Sequence, residues 1–136
     1  MGQKSIERGL KTRRKVLGDE WVDQSERNKT AFNAEFHDLL HGYCWDAIWN
    51  RPGLAHKMRR VVVLSITLAN GRWEEYKLHA RAALESGDLT EDELKEILLQ
   101  AAVYAGVPTA NTGFREAREV LAAVAAKRKP AAKKRR

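Results

Sequence analysis

Between residues 32 and 48 the apolar side chains fall at steps of three and four: Phe32, Phe36, Leu39, Leu40, Tyr43, Ala47 and Ile48. That spacing lays them along one face of a helix, and it does not suit the two-residue alternation of a half-buried strand. Arg51-Pro52-Gly53 stops the run, because proline disfavours helix in the residue before it and glycine accepts turn dihedrals. The rest of the chain reads the same way. A first helix is predicted over 5–17, closed by Gly18, and residues 23–28 read as a polar connection. Residues 57–70 are apolar on nearly every side. The β-branched run Val61-Val62-Val63 would also suit a strand, but the length, the Arg-rich start and the Asn70-Gly71 stop favour a buried helix. Another helix follows from Arg72 to Ser86, before Gly87. Thr90 and Glu93 form a capping box for the next, which reaches about Gly106. Pro108 suits the first turn of a last helix ending near Ala126. The expected fold is all-α, a compact domain of about six helices over 1–126 followed by a basic tail over 127–136.

The tail also explains the charge. The formal net charge is +7, yet residues 127–136 carry seven basic side chains and no acidic one. Without them, 18 basic residues face 18 acidic ones, so nothing draws a polyanion over the whole surface. The tail is expected to be disordered. It could brush RNA or acidic surfaces, but no zinc-finger, helix-turn-helix or RNA-recognition pattern accompanies it, and no specific nucleic-acid partner is expected. The longest apolar stretch, Val61 to Ala69, is broken by Ser65 and Thr67 and is too short to span a bilayer. With no charged-then-apolar leader, the expected compartment is the cytoplasm. Cys44 is the only cysteine, which excludes an internal disulfide and a redox dithiol.

Chemistry concentrates in Gly71 to Ala83, where Glu75 and His79 stand four residues apart. On a helix that spacing stacks them on one face, and a carboxylate on one ring nitrogen would leave the other for proton transfer. Spacing alone fits a solvated surface pair equally well. His37 and His41 share the same spacing, a metal-pair geometry on a helix, but the sequence places no third ligand nearby. An exposed or interface role is expected for that pair, and His56 sits in a turn. Trp21, Trp45, Trp49 and Trp73 are much indole for one small domain, to be absorbed by its core or by another subunit.

Glu75 and His79, with Tyr104-Ala105-Gly106-Val107-Pro108-Thr109-Ala110-Asn111 one helix later, resemble the carboxymuconolactone decarboxylase family. Arg13-Arg14-Lys15-Val16-Leu17-Gly18-Asp19 and Trp45-Asp46-Ala47-Ile48-Trp49-Asn50-Arg51-Pro52-Gly53-Leu54 resemble the branch dedicated to 4-carboxymuconolactone, as do the stretches from Arg59 to Leu68 and from Asp92 to Gln100. The likeness runs over about residues 5 to 122. It implies an alkylhydroperoxidase D-like helical fold and a homo-oligomer, dimer-based and in many members hexameric. The redox relatives of this family carry a glutamate and a Cys-x-x-Cys before the histidine. Aligned on His79, those positions hold Arg60, Arg72 and Glu75, so peroxide reduction is ruled out for want of thiols.

The resemblance implies decarboxylation of a small anionic lactone in protocatechuate catabolism. Loss of CO2 sends the bonding electrons through the ring double bond into the lactone carbonyl, so the substrate carries its own electron sink. No cofactor and no metal are expected. His79 is the expected proton donor and Glu75 its orienter, a neighbour that should raise the imidazole pKa. Tyr104 is the expected oxyanion donor. Arg59 and Arg60 are the expected carboxylate ligands, of which only one should face the site, with Arg51 and Arg72 as weaker candidates.

Overall fold

In the computed structural model, which describes residues 2–133 and side chains through residue 128, all regular structure is helical and no strand occurs among the described residues. The helices are α1 (Gln3–Leu17), α2 (Asp19–Arg27), α3 (Ala34–Leu39), which continues as a π-helical segment (Leu40–Ile48), α4 (His56–Ala69), α5 (Trp73–Ser86), α6 (Glu91–Tyr104) and α7 (Val107–Lys133). The chain divides into two compact units, Met1–Arg59 and Arg60–Arg136. The expected polar connection over 23–28 is instead mostly α2, which starts directly after Gly18 with Asp19 and Glu20 in its first turn, where acidic groups favour the helix dipole. The Val61-Val62-Val63 run is helical. The last helix does not end near Ala126 but runs to Lys133, and residues 134–136 of the basic tail lie outside the described residues. No described helix is long and apolar enough to cross a membrane.

In the first unit, α1 buries Gly9, Thr12, Arg13, Val16 and Leu17. A side chain at residue 9 would overlap the backbone carbonyl of His41, so only glycine allows α1 to approach the π segment this closely. Asp46 then ties the two together. It accepts hydrogen bonds from Ser5 Oγ at 2.7 Å, from Arg8 Nη2 at 3.0 Å and from Asn50 Nδ2 at 3.0 Å. Those bonds, the Arg8 one foremost, hold its carboxyl well below the usual carboxylate range.

The inward face of this segment is not the apolar one read from the sequence. His37, His41, Trp45 and Trp49 point inward, while Phe36, Leu39, Tyr43 and Ile48 are exposed. Steps of four suit the wider π turn, which Trp49 N–H closes onto the Cys44 carbonyl at 3.1 Å. Trp45 and Trp49 stack at 5.1 Å, so these two indoles are absorbed within the unit.

In the second unit, Leu64 and Leu68 of α4 pack with Tyr76, Ala80, Ala83 and Leu84 of α5, Leu94 and Leu98 of α6, and Ala117, Val120 and Val124 of α7. The predicted capping box at Thr90 and Glu93 opens α6, with Glu93 N–H donating to Thr90 Oγ1 at 3.1 Å. Gly113 lets α7 settle on this core, since a Cβ there would lie 2.6 Å from Leu98 Cδ2 and 2.7 Å from Leu68 Cδ1. Tyr76 donates its hydroxyl hydrogen to the Gly113 carbonyl at 3.1 Å, and burial pushes that phenol's pKa up.

Candidate active site

The inward stripe of α4 begins with a charge: Arg60, Leu64 and Leu68 are buried in succession, each four residues apart. On α5 the buried stripe is Tyr76, His79, Ala80 and Ala83. The two stripes bring the Arg60 guanidinium and the His79 imidazole into the same buried environment. Arg60 is only 2% exposed, and its Nε donates to Asp88 Oδ2 at 2.9 Å. Asp88, in the turn between α5 and α6, keeps partial solvent contact and fixes the guanidinium plane from outside. Burial, and then the charge of Arg60, push the His79 pKa down to about 4.

That direction corrects the sequence expectation. The Glu75 side chain is exposed while the His79 ring is buried, and the cost of burial together with the Arg60 charge sets the direction of the shift. At neutral pH the resting ring is neutral. Of the two adjacent arginines, Arg60 turns inward beside His79. Arg59 is half-buried in the first unit, where its Nη2 donates to the Arg51 carbonyl at 3.0 Å, and the Arg51 side chain is exposed. Arg72 is exposed at the N-terminal cap of α5. Tyr104 is 83% exposed at the end of α6. It lines an apolar groove of about 560 Å³ together with Val61, Ile66, Ile97 and Ala101, and His79 is not among the lining residues. The structure therefore brings Arg60 and His79 together and leaves Glu75, Tyr104 and Arg72 on the surface of the second unit. Asp88 was missed by sequence reasoning, because nothing local links a turn aspartate to an arginine 28 residues earlier.

A second polar cluster lies within the first unit, and it corrects the reading of the other histidines. His37 and His41 are buried, not exposed, and a third group does join them: Glu26 of α2. Arg13 of α1 donates from Nη1 to His41 Nε2 at 3.1 Å and from Nη2 to Ser25 Oγ at 3.1 Å, and its guanidinium lies 5.2 Å from the Trp21 ring centre. Burial first, then Arg13, lowers the His41 pKa.

Comparison with known proteins agrees with this all-helical architecture. Residues 34–119 match the model of the carboxymuconolactone decarboxylase family. A 4-carboxymuconolactone decarboxylase from Acinetobacter baylyi is 37% identical over 118 residues, covering 87% of each chain. A nitrosuccinic acid decarboxylase from Metarhizium robertsii is 38% identical over 104 residues, covering 76% of this chain and 72% of the relative. The chain therefore belongs to the carboxymuconolactone decarboxylase family, and its enzyme class is that of the carboxy-lyases.

Proposed function

We propose that this protein converts 4-carboxymuconolactone to 3-oxoadipate enol-lactone and CO2, in protocatechuate catabolism through the β-ketoadipate pathway, without a cofactor. The observation that carries the reading is the buried Arg60 beside the buried His79, in a chain 37% identical over most of its length to a 4-carboxymuconolactone decarboxylase. Arg60 is held in plane by Asp88 and binds a substrate carboxylate. A guanidinium fork does this better than an ammonium, and in a buried site the attraction is little screened.

The C–C bond to the departing carboxylate breaks, and its electron pair passes through the ring double bond to the lactone carbonyl oxygen. The resulting dienolate is protonated at the α carbon. His79 supplies that proton. Its resting ring is neutral, so it takes up a proton from solvent as the substrate binds: an anion at Arg60 offsets the guanidinium charge that disfavours the imidazolium. Tyr104 is the proposed oxyanion donor, and Glu75 a secondary influence on His79. An exposed phenol is a weak electrostatic catalyst in water. Tyr104 takes its role when a second copy covers the face formed by Val62 and Ile66 of α4, Leu99, Val103 and Tyr104 of α6, and Val107, all of them exposed in the single chain. This face is the proposed contact of a homo-oligomer.

The Metarhizium relative supports a second reading, a nitro-substituted dicarboxylic acid as substrate. A nitro group is also an internal electron sink, so Arg60 and His79 would serve that reaction unchanged. Purified protein given each compound in turn, with CO2 release followed, separates the two. A higher kcat/KM on 4-carboxymuconolactone supports the first reading, and the reverse order establishes the second.

A further inference from the structure

The cluster in the first unit plays no part in the reaction just described. Glu26 Oε1, His37 Nδ1 and His41 Nε2 converge from α2, α3 and the π segment, all within 4.8 Å of one another. Glu26 Oε1 lies 3.7 Å from His37 Nδ1 and 3.8 Å from His41 Nε2. Those separations are too long for hydrogen bonds. Glu26 Oε1 and His37 Nδ1 are nevertheless buried with no hydrogen-bond partner, and His37 is only 8% exposed. Buried polar atoms normally find partners, so two that face each other across a gap of this width need an explanation.

A divalent ion supplies one. Bonds of about 2.0–2.1 Å to imidazole nitrogen and carboxylate oxygen place tetrahedral neighbours about 3.3–3.4 Å apart. The two Glu26–histidine separations need close by only about 0.3–0.5 Å, and the two ring nitrogens, within 4.8 Å of each other, by up to about 1.4 Å, a shift that side-chain rotation supplies. Two imidazoles and one carboxylate suit zinc better than calcium or magnesium, which prefer all-oxygen shells. The i,i+4 spacing of His37 and His41 presents both rings from one helical run. An adjoining polar cavity of about 310 Å³, lined by Trp21, Gln24, Ser25, Asn28, Asn33 and His37, offers a path of entry and room for a water as fourth ligand.

We propose that Glu26, His37 and His41 form a zinc-binding site. Arg13 limits its strength. Metal entry exchanges the Arg13–His41 hydrogen bond and the 3.8 Å ion pair of Arg13 with Glu26 Oε1 for metal bonds, while Arg13 keeps Ser25 and Trp21. A guanidinium this close repels a dication, so binding is weaker than at a structural zinc site.

The test uses untagged, metal-stripped full-length protein, titrated with ZnCl2 by calorimetry and with CoCl2 by visible absorption. One ion per chain is expected, with the intense visible bands of four- or five-coordinate cobalt. His37→Ala and Glu26→Gln should each weaken zinc binding at least about tenfold, and His56→Ala, which alters a histidine outside the cluster, should not. Glu26→Gln keeps the size of a partly exposed side chain and serves if His37→Ala does not fold. Absence of saturable zinc binding up to about 100 µM (a free energy of roughly −5.5 kcal/mol) overturns the proposal. So does binding that survives Glu26→Gln, or that disappears in His56→Ala.

Discussion

The guanidinium of Arg60 and the imidazole of His79 are both buried, and the charge of the first disfavours protonation of the second. On the proposed mechanism, an anionic substrate bound between them would reverse that balance and tie proton supply to occupancy of the site. His79→Ala should therefore lower kcat by about 10²–10⁴, the usual range for a positioned acid. In the wild type, kcat should fall with rising pH through an apparent pKa above the resting value of about 4. Steady-state rates from pH 4 to 9 check both. A His79→Gln variant with the same pH dependence and near-normal kcat would remove the histidine from the proton step. Glu75→Gln should cost far less than His79→Ala, because the Glu75 side chain is exposed while the ring is buried.

Asp88 holds the Nε edge of Arg60, so the two residues should share one kinetic signature. Arg60→Lys should raise KM more than it lowers kcat, since a lysine keeps the charge but loses the planar fork. Asp88→Asn should shift KM in the same direction and by less. Combining the two should give less than the product of the single effects, because the second change removes a contact the first has already broken. Fully independent effects in that double-mutant cycle would dissociate Asp88 from the site.

The His79 shift also has a stability consequence. Its folded pKa of about 4 lies below the ordinary histidine value of 6.5, so between those values the unfolded chain binds a proton that the folded chain refuses. Stability is then lost as pH falls from 6.5 towards 4, by roughly 3 kcal/mol for this one nine-tenths buried group. His79→Gln should flatten that limb of the Tm-against-pH curve. Equal acid sensitivity in the variant would place the loss elsewhere.

Val103 is 76% exposed on α6 beside Tyr104. A charge placed there should prevent a second copy from covering the face at little cost to the isolated fold. Val103→Asp should shift the molecular mass in light scattering towards monomer, with unchanged helical circular dichroism and a loss of turnover. A wild-type protein that is monomeric and fully active would refute both the assembly and the role given to Tyr104.

Helices announced themselves because helix formation is local. The three- and four-residue spacing, the capping box at Thr90 and Glu93, and the stops at Gly18 and Gly87 depend on neighbours within one or two turns. The family was legible for a related reason, since contiguous motifs carry it. His79 could be singled out from sequence, and the restriction to one inward-facing residue of Arg59 and Arg60 follows from the 100° step between adjacent residues. Which arginine faces His79, and what charge the ring carries, were not legible. Both depend on burial and on groups distant in sequence. The Asp88 partner of Arg60, the exposure of Glu75 and the joining of Glu26 to His37 and His41 are set by how helices pack. A sequence lists every ionisable group, but the energy of each depends on the water it loses and the charges it meets, and only the tertiary structure decides those.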